Sequence, residues 1–491
     1  MKARQVLALC ALCLLFEGCS GDSGAAAEVA AGPDTGGAKA DAAGDHRATG
    51  EVKPDTGPEV VLVGEVTADI PGPSDIAPEI WVDVMGEVAM PDAPDASAFE
   101  LPPVEPDIVP EVEAEIVEPL PPKDPLVLTD ETELRLPPMA GDSRYVDHGD
   151  FDQDGDEDLV LAVSMDHNVL LLNDGSGHFT GSELPGGKRP TNCLVTTDLN
   201  GDGMDDLFVG NTNEPSQLLL NQGGGSFVDE SESLLGQFSY QVERVLPGDL
   251  DGDGDQDFVV LCSGSQQERL LLNAGEGLLI DETDDHMPVD SLMVSSGSLG
   301  SVDGEGPPDL VFTNFISSQL TTLWINDGSA HFSDATGDIQ PAYESMGFDA
   351  VLVDLTGDGD LDLFEANLMN VQRVLLNNGE GKFTEKMGGV PANLGPAGDG
   401  IVMAADAEPG DINMDGHQDV FLACSGTTSG FNQNLLLLGG PGGPNQLHSP
   451  SPFAENGGDS RHSAAVDLDG DGYLEIIVVN SLSQSLLFWN N

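Results

Sequence analysis

From residue 126 onward, short apolar runs punctuate the chain at nearly constant intervals: LVLAV at 159–163, LFVG at 207–210, FVVL at 258–261, LVF at 310–312, LFEA at 363–366, VFLA at 420–423 and IIVV at 476–479. Their brevity and β-branched character predict buried strands. About fifteen residues beyond the acidic segment that precedes each run, a second apolar run commonly ends on Asn and passes through a Gly-rich turn into Phe. Examples are LLLNDGSGHF at 170–179, LLLNQGGGSF at 218–227, LWINDGSAHF at 323–332 and VLLNNGEGKF at 374–383. Apolar runs bounded by Gly, Asn and Asp are strands joined by hairpins.

The acidic segments are nonapeptides: DFDQDGDED at 150–158, DLNGDGMDD at 198–206, DLDGDGDQD at 249–257, SVDGEGPPD at 301–309, DLTGDGDLD at 354–362, DINMDGHQD at 411–419 and DLDGDGYLE at 467–475. Their starts are 48, 51, 52, 53, 57 and 56 residues apart, which excludes a chance acidic run. One repeat reads as strand A, acidic loop, strand B, short loop, strand C, glycine turn, strand D. Four-stranded units with a period near 50 predict an all-β fold, a seven-bladed β-propeller over residues 126–491.

The ends of this region complete the pattern. The last repeat stops at LLFWNN, 486–491, where its glycine turn and strand D would begin. LVLTDETEL at 126–134 matches strand D elsewhere, as in FVDESESLL at 227–235, LIDETDD at 279–285 and FSDAT at 332–336. The segment at 126–134 is therefore expected to complete the seventh blade, closing the ring non-covalently and leaving no open sheet edge. In the sixth repeat, GGPGGPNQLHSPSPFAENGGDSRH at 439–462 replaces the usual glycine turn.

Composition changes the picture upstream. Residues 1–19 have Lys2 and Arg4, an apolar run from Val6 to Phe16, then Gly18-Cys19. That is the layout of a secretory signal, too short to span a bilayer as a mature helix. It is similar to a bacterial lipoprotein signal, which implies lipidation at Cys19 and export, to the outer membrane or cell surface if anchored and otherwise to the periplasm or medium. Residues 20–125 are dominated by Ala, Gly, Pro, Asp, Glu and Val, a self-repelling composition expected to form a disordered stalk. Cys193, Cys262 and Cys424 remain in the body of the chain, an odd and scattered set read as buried small hydrophobes. A formal charge of -71 excludes nucleic acid as a partner and points to cations.

Within the nonapeptides, oxygen-bearing side chains fall at positions 1, 3, 5 and 9, with Gly at position 6. Calcium takes six to eight oxygens, and a loop turned sharply at Gly can deliver alternate side chains inward. In the first loop the candidate ligands are Asp150, Asp152, Asp154 and Asp158, with the backbone carbonyl of Asp156. Leu161 occupies position 12, so this is not a helix-flanked EF-hand.

The combination of DxDxDGxxDL with LLLNDGSGHF resembles the FG-GAP/VCBS repeats, which form the seven-bladed propeller of integrin α subunits and of many secreted bacterial proteins. The resemblance implies calcium at Asp198, Asn200, Asp202 and Asp206; at Asp249, Asp251, Asp253 and Asp257; at Asp354, Thr356, Asp358 and Asp362; at Asp411, Asn413, Asp415 and Asp419; and at Asp467, Asp469, Asp471 and Glu475. The fourth loop departs most, with Ser301 and Glu305 beside Asp303 and Asp309.

No HExxH, P-loop or zinc spacing surrounds His148, His167, His286, His448 or His462. His178 and His331 fill the slot before the repeated Phe. The chain is accordingly expected to be a recognition or adhesion module, not an enzyme. Its partner would be a surface glycan or protein, met by the variable B–C loops and D–A connections such as 164–168, 211–216, 263–268 and 425–433. Two alternatives remain: a lyase-like, polysaccharide-active enzyme using Arg144, Tyr145, Arg244 and Arg461, or a structural envelope protein.

Overall fold

The computed structural model describes residues 120–491, less 124, 140, 265, 290–291, 317–318, 343, 345, 392–393, 395–400, 426–432, 442, 445, 449–452, 454–458 and 482. The signal, Cys19, nearly all of the stalk and most of the 425–433 loop lie outside the described residues. The chain divides into two units at residues 116 and 117, and every described residue belongs to the second, Val117–Asn491.

Strands A to D of blade 1 are Asp142–Gly149, Asp158–Ser164, Val169–Asn173 and Phe179–Glu183. Blade 2 comprises Thr191–Thr197, Asp206–Asn211, Gln217–Asn221 and Phe227–Asp229; blade 3, Val242–Gly248, Asp257–Cys262, Arg269–Asn273 and Leu279–Asp281. Blade 4 is Val294–Gly300, Asp309–Asn314, Thr322–Asn326 and Phe332–Asp334; blade 5, Gly347–Val353, Asp362–Val371, Arg373–Leu376 and Phe383–Glu385. Blade 6 is Ile401–Gly410, Asp419–Cys424, Leu435–Leu438 and Gln446–Leu447. Blade 7 takes its first three strands from Asp459–Val466, Glu475–Ser481 and Leu486–Asn490, and its fourth, Leu128–Asp130, pairs antiparallel with the third through Leu128↔Asn490, Thr129↔Trp489 and Asp130↔Phe488. Successive A strands touch in cyclic order, the seventh meeting the first, so the protein is a closed seven-bladed propeller.

The B strands are buried on both faces because adjacent blades cover them, which is why they read as unbroken apolar runs. Phe208, Phe258, Phe312, Phe364 and Phe421 are nearly or fully buried there and fill the seams.

Three departures from the sequence expectation have local causes. Strand D is short and breaks into a single helical turn: Thr132–Arg135 follows Asp130, Ser231–Leu234 follows Asp229, and Thr283–His286 follows Asp281. Each Asp accepts the backbone N–H two residues on (Asp130 Oδ1 from Thr132, 3.1 Å; Asp229 from Ser231, 3.1 Å; Asp281 from Thr283, 3.2 Å), an Asx turn that diverts the backbone. The hydroxyl of that second residue then accepts the N–H of strand C that the ladder leaves over, as in Leu270 to Thr283 at 3.0 Å. Second, contact with the propeller begins before residue 126: the Lys123 N–H donates to Asn413 O at 2.8 Å, and its ammonium lies 3.8 Å from the Tyr473 ring centroid. Third, the segment 439–462 contains a two-residue strand D, Gln446–Leu447.

Candidate metal centres and the axial channel

The acidic loops join strands A and B and are folded by their own carboxylates. Asp150 accepts the N–H groups of Asp154 (3.0 Å) and Gly155 (3.1 Å), and Asp152 accepts that of Asp154 (3.2 Å). The same carboxylate-to-amide pattern closes the other loops, as at Asp198, Asp354 and Asp411. These contacts shape the loop and leave like charges crowded. In three loops, ligand oxygens of positions 1, 3 and 9 lie within 4.8 Å of one another: Asp150, Asp152 and Asp158; Asp249, Asp251 and Asp257; Asp467, Asp469 and Glu475. These clusters could hold a metal ion.

The position-5 side chains stand outside the three clusters. Asp154, Asp253 and Asp471 instead accept the N–H of position 7, at 3.2, 3.0 and 2.9 Å. In the second and sixth loops the position-3 amides Asn200 and Asn413 hydrogen-bond the position-5 carboxylates Asp202 and Asp415. The fourth loop has Ser301 donating to the Glu305 carbonyl at 3.5 Å, with Asp303 and Asp309 as its remaining acids.

Position 9 is the structural hinge of each loop. Asp158 is fully buried; one oxygen accepts Phe151 N–H (3.1 Å) and the other Asn173 N–H (2.7 Å), tying loop to strand C. Asp206, Asp257 and Asp309 repeat this pairing. Without a cation, burial first and the neighbouring loop charges after it push these carboxyls up: Asp158 and Asp419 to about 7, Asp206, Asp257 and Asp362 to about 6, Glu475 to about 8. Two oxygens facing the loops are buried and lack any hydrogen-bond partner: Thr356 Oγ1 and Asp467 Oδ1. An all-oxygen, anionic, under-satisfied donor set fits a hard divalent cation.

Three segments of the chain, residues 198–260, 354–422 and 411–478, match the model of the FG-GAP-like repeat. The chain carries FG-GAP-like repeats in these segments. No curated protein matches it. Among solved structures it is similar to BBS1N in complex with ARL6DN, soaked with mercury (14% identity, 72% of this chain and 94% of that one, TM-score 0.46), and to the same complex soaked with lead (10%, 74% and 96%, TM-score 0.45).

The FG-GAP-like repeats also carry a clamp that sequence reasoning assigned only to a turn. The Asn closing strand C reaches across the seam to the preceding blade. Asn173 Nδ2 donates to Leu468 O at 2.8 Å and to Glu157 O at 3.0 Å. Asn221, Asn273, Asn326, Asn377 and Asn490 reach Phe151, Leu199, Leu250, Val302 and Ile412 carbonyls at 3.0, 2.9, 2.8, 2.7 and 2.9 Å. Blade 6 has Gly439 at this position, so the seam with blade 5 lacks the clamp. There, the extended B strand of blade 5 pairs directly with the A strand of blade 6 (Leu368↔Met403, Val371↔Ile401). Asn221→Ala is expected to cost about 1–3 kcal/mol in urea denaturation, since it strips a donor from the buried carbonyl of Phe151 and the half-buried one of Asp205.

A bulge in every A strand re-aims the residue that follows it: Tyr145, Arg244, Ser296, Asp349, Asp406 and His462 converge on the channel, whereas the equivalent Cys193 packs into the apolar seam with Phe208 and Val242. Arg244 lies across this throat. It donates to Ser296 Oγ (2.9 Å), Asp349 (3.1 Å) and His462 Nε2 (2.7 Å), lies 3.7 Å from Asp406, and sits over the Tyr145 ring, which stacks on His462 at 3.6 Å. Burial, then the adjacent guanidinium, holds His462 well below its ordinary pKa. Asp349 and Asp406 also accept the N–H groups of Ala407 (3.1 Å) and Ser463 (2.9 Å) on the next A strand, capping donors that an inner edge strand leaves unpaired. A cavity of about 310 Å3 adjoins the throat among residues leading to the acidic loops, including Asp147, His148 and Glu408.

Of the four suspected catalytic residues, Tyr145 and Arg244 therefore meet in the throat. Arg144 is held by Asp142 (2.8 Å) and Arg461 by Asp459 (2.9 Å) on neighbouring blades. His148 pairs with Glu157 at 2.8 Å, and His286 stacks on His331 at 3.9 Å. Cys193, Cys262 and Cys424 are buried free thiols.

Proposed function

We propose that the protein is an exported calcium-binding recognition or adhesion module, anchored through lipid at Cys19, whose propeller is braced by metal on one face and meets a surface glycan or protein with the other. The observation that carries the reading is the triad of carboxylates at positions 1, 3 and 9, one of them buried, in three loops of the same repeat. Asp150, Asp152 and Asp158, with the equivalents in loops three and seven, would hold calcium, which would supply positive charge where burial now raises the pKa of the ninth-position acid. The chain's own residues do the rest: the ninth carboxylate fixes strands B and C, and the B–C loops stand on that frame.

A glycan and protein array, probed with the full chain in calcium and in chelator, tests this. Binding that appears in calcium and is lost in chelator is expected. Binding to any partner that is equal in both conditions would sink the mechanism.

A further inference from the structure

Blade 1 breaks the repeat at one residue of its outer strand. Blades 2, 3, 4 and 7 have Asp229, Asp281, Asp334 and Asp130 as the third residue of strand D, and the chain turns into a short helix there. Blade 1 has Gly181, and its strand runs on to Glu183 with no helix. On the B–C loop side of the blade, a cavity of about 330 Å3 opens. Its walls include Leu161, Val163 and Val169 of strands B and C, and Pro137 and Met139 of the connection entering the blade. A Cβ on Gly181 would meet Leu171 at 3.3 Å, Pro137 at 3.5 Å and Val169 at 3.9 Å, and Gly181 does not have the left-handed φ that would call for glycine. The missing side chain is what leaves this space open.

The rim is polar and unevenly neutralised. Asp166 is already paired with Lys188. Glu183 is exposed, its ion-pair contact is His167 Nδ1 at 3.7 Å, and the Lys188 ammonium it also feels is held by Asp166, so two carboxylates share one ammonium at this rim. That Nδ1 atom is itself buried and has no hydrogen-bond partner. A carboxylate and an unmatched imidazole nitrogen thus converge at the mouth of an apolar cavity.

We propose that this cavity binds a ligand with a bicyclic aromatic or similarly sized apolar body and a cationic amine head, the body against Leu161, Val163 and Val169 and the ammonium between Glu183 and His167. An apolar cavity of about 150 Å3 accommodates benzene, so this one has room for a fused ring. Charge complementarity selects the head, because the free rim charge is negative and an anionic head would face Glu183. The inference deepens the recognition reading and rests on it for its biological role. The metal loops lie on the opposite face, so calcium-dependence and ligand capture can fail separately.

Isothermal titration of the full chain in calcium with tryptamine, indole and indole-3-acetate tests it. Tryptamine is expected to bind saturably with one site, about tenfold more tightly than indole-3-acetate at low salt. Gly181→Val, which fills the cavity, should weaken tryptamine at least about tenfold while leaving the melting temperature unchanged or raised. Glu183→Gln should keep the fold and bring tryptamine to within about twofold of indole. Absence of saturable tryptamine binding, binding that Gly181→Val leaves intact, or equal affinity for the amine and the acetate would each overturn the proposal.

Discussion

Chelation should lower the melting temperature of the full chain on the order of 5–10 °C. Extracellular calcium modules commonly work at dissociation constants of about 0.1–1 mM. Near 5 mM calcium, each site then adds about 1–2.3 kcal/mol, and three triads together about 3–7 kcal/mol. The pH dependence distinguishes this from general salt effects. In chelator, Asp158 and Asp419 titrate near 7, Asp206, Asp257 and Asp362 near 6 and Glu475 near 8, all above their unfolded values. A carboxyl whose folded pKa is raised contributes stability that is present below the unfolded pKa and lost as pH rises through the folded one. The metal-free protein should therefore lose stability from about pH 5 to 8 through these groups, while calcium, which needs them ionised, should stabilise more over the same range. The gap between calorimetric melts with and without calcium should widen with pH, and groups far from the loops, such as His462, cancel in that difference. Parallel melting curves across pH would contradict metal binding at the ninth positions.

What the sequence discloses depends on whether a residue's partner recurs with it. Strand B, the acidic loop and the ring's seven units are legible because each repeats its own pattern in one dimension, and the match of 126–134 to other D strands carries the pairing of Leu128 with Asn490. The Asp-x-Thr/Ser turn after strand D recurs as visibly, in 130–132, 229–231 and 281–283, yet reads as continued strand unless the side-chain-to-backbone bond is weighed against extension. The Asn clamp repeats too, but its acceptor is a carbonyl on another blade, some 70 residues away or, for Asn173, across the ring closure at Leu468. The throat is illegible for the opposite reason. Tyr145, Arg244, Ser296, Asp349, Asp406 and His462 occupy equivalent positions, yet only the two aspartates share their chemistry, and only the A-strand bulge brings the six together. Likewise Gly181 becomes informative only beside the Asp of its equivalents.

Replacing Arg244 with Ala should cost about 3–5 kcal/mol in urea denaturation near pH 8 with calcium present. The substitution leaves Asp349 and Asp406, whose side chains are 2% and 3% exposed, without the guanidinium at 3.1 and 3.7 Å. Burial, and then Asp349, has already pushed Asp406 up to about 7 with Arg244 in place. Removing Arg244 raises it further, so the variant folds with a proton bound that the unfolded chain releases above about pH 4. Its deficit should shrink as pH falls toward about 5.5. His462 adds to the recovery: its Nε2 lies 3.4 Å from Asp406, and once the guanidinium no longer opposes its charge, the protonated imidazole can take over as partner. Arg244→Lys should be intermediate at both pH values, because an ammonium keeps the charge but loses the fork that reaches Ser296, Asp349 and His462 together. Arg244→Ala with Asp349→Asn and Asp406→Asn should recover much of the loss at pH 8, since no uncompensated charge stays buried. A single variant as stable as the parent at pH 8, or one whose deficit grows on acidification, would mean that the throat is held by packing of Tyr145 on His462 and not by the charge it encloses.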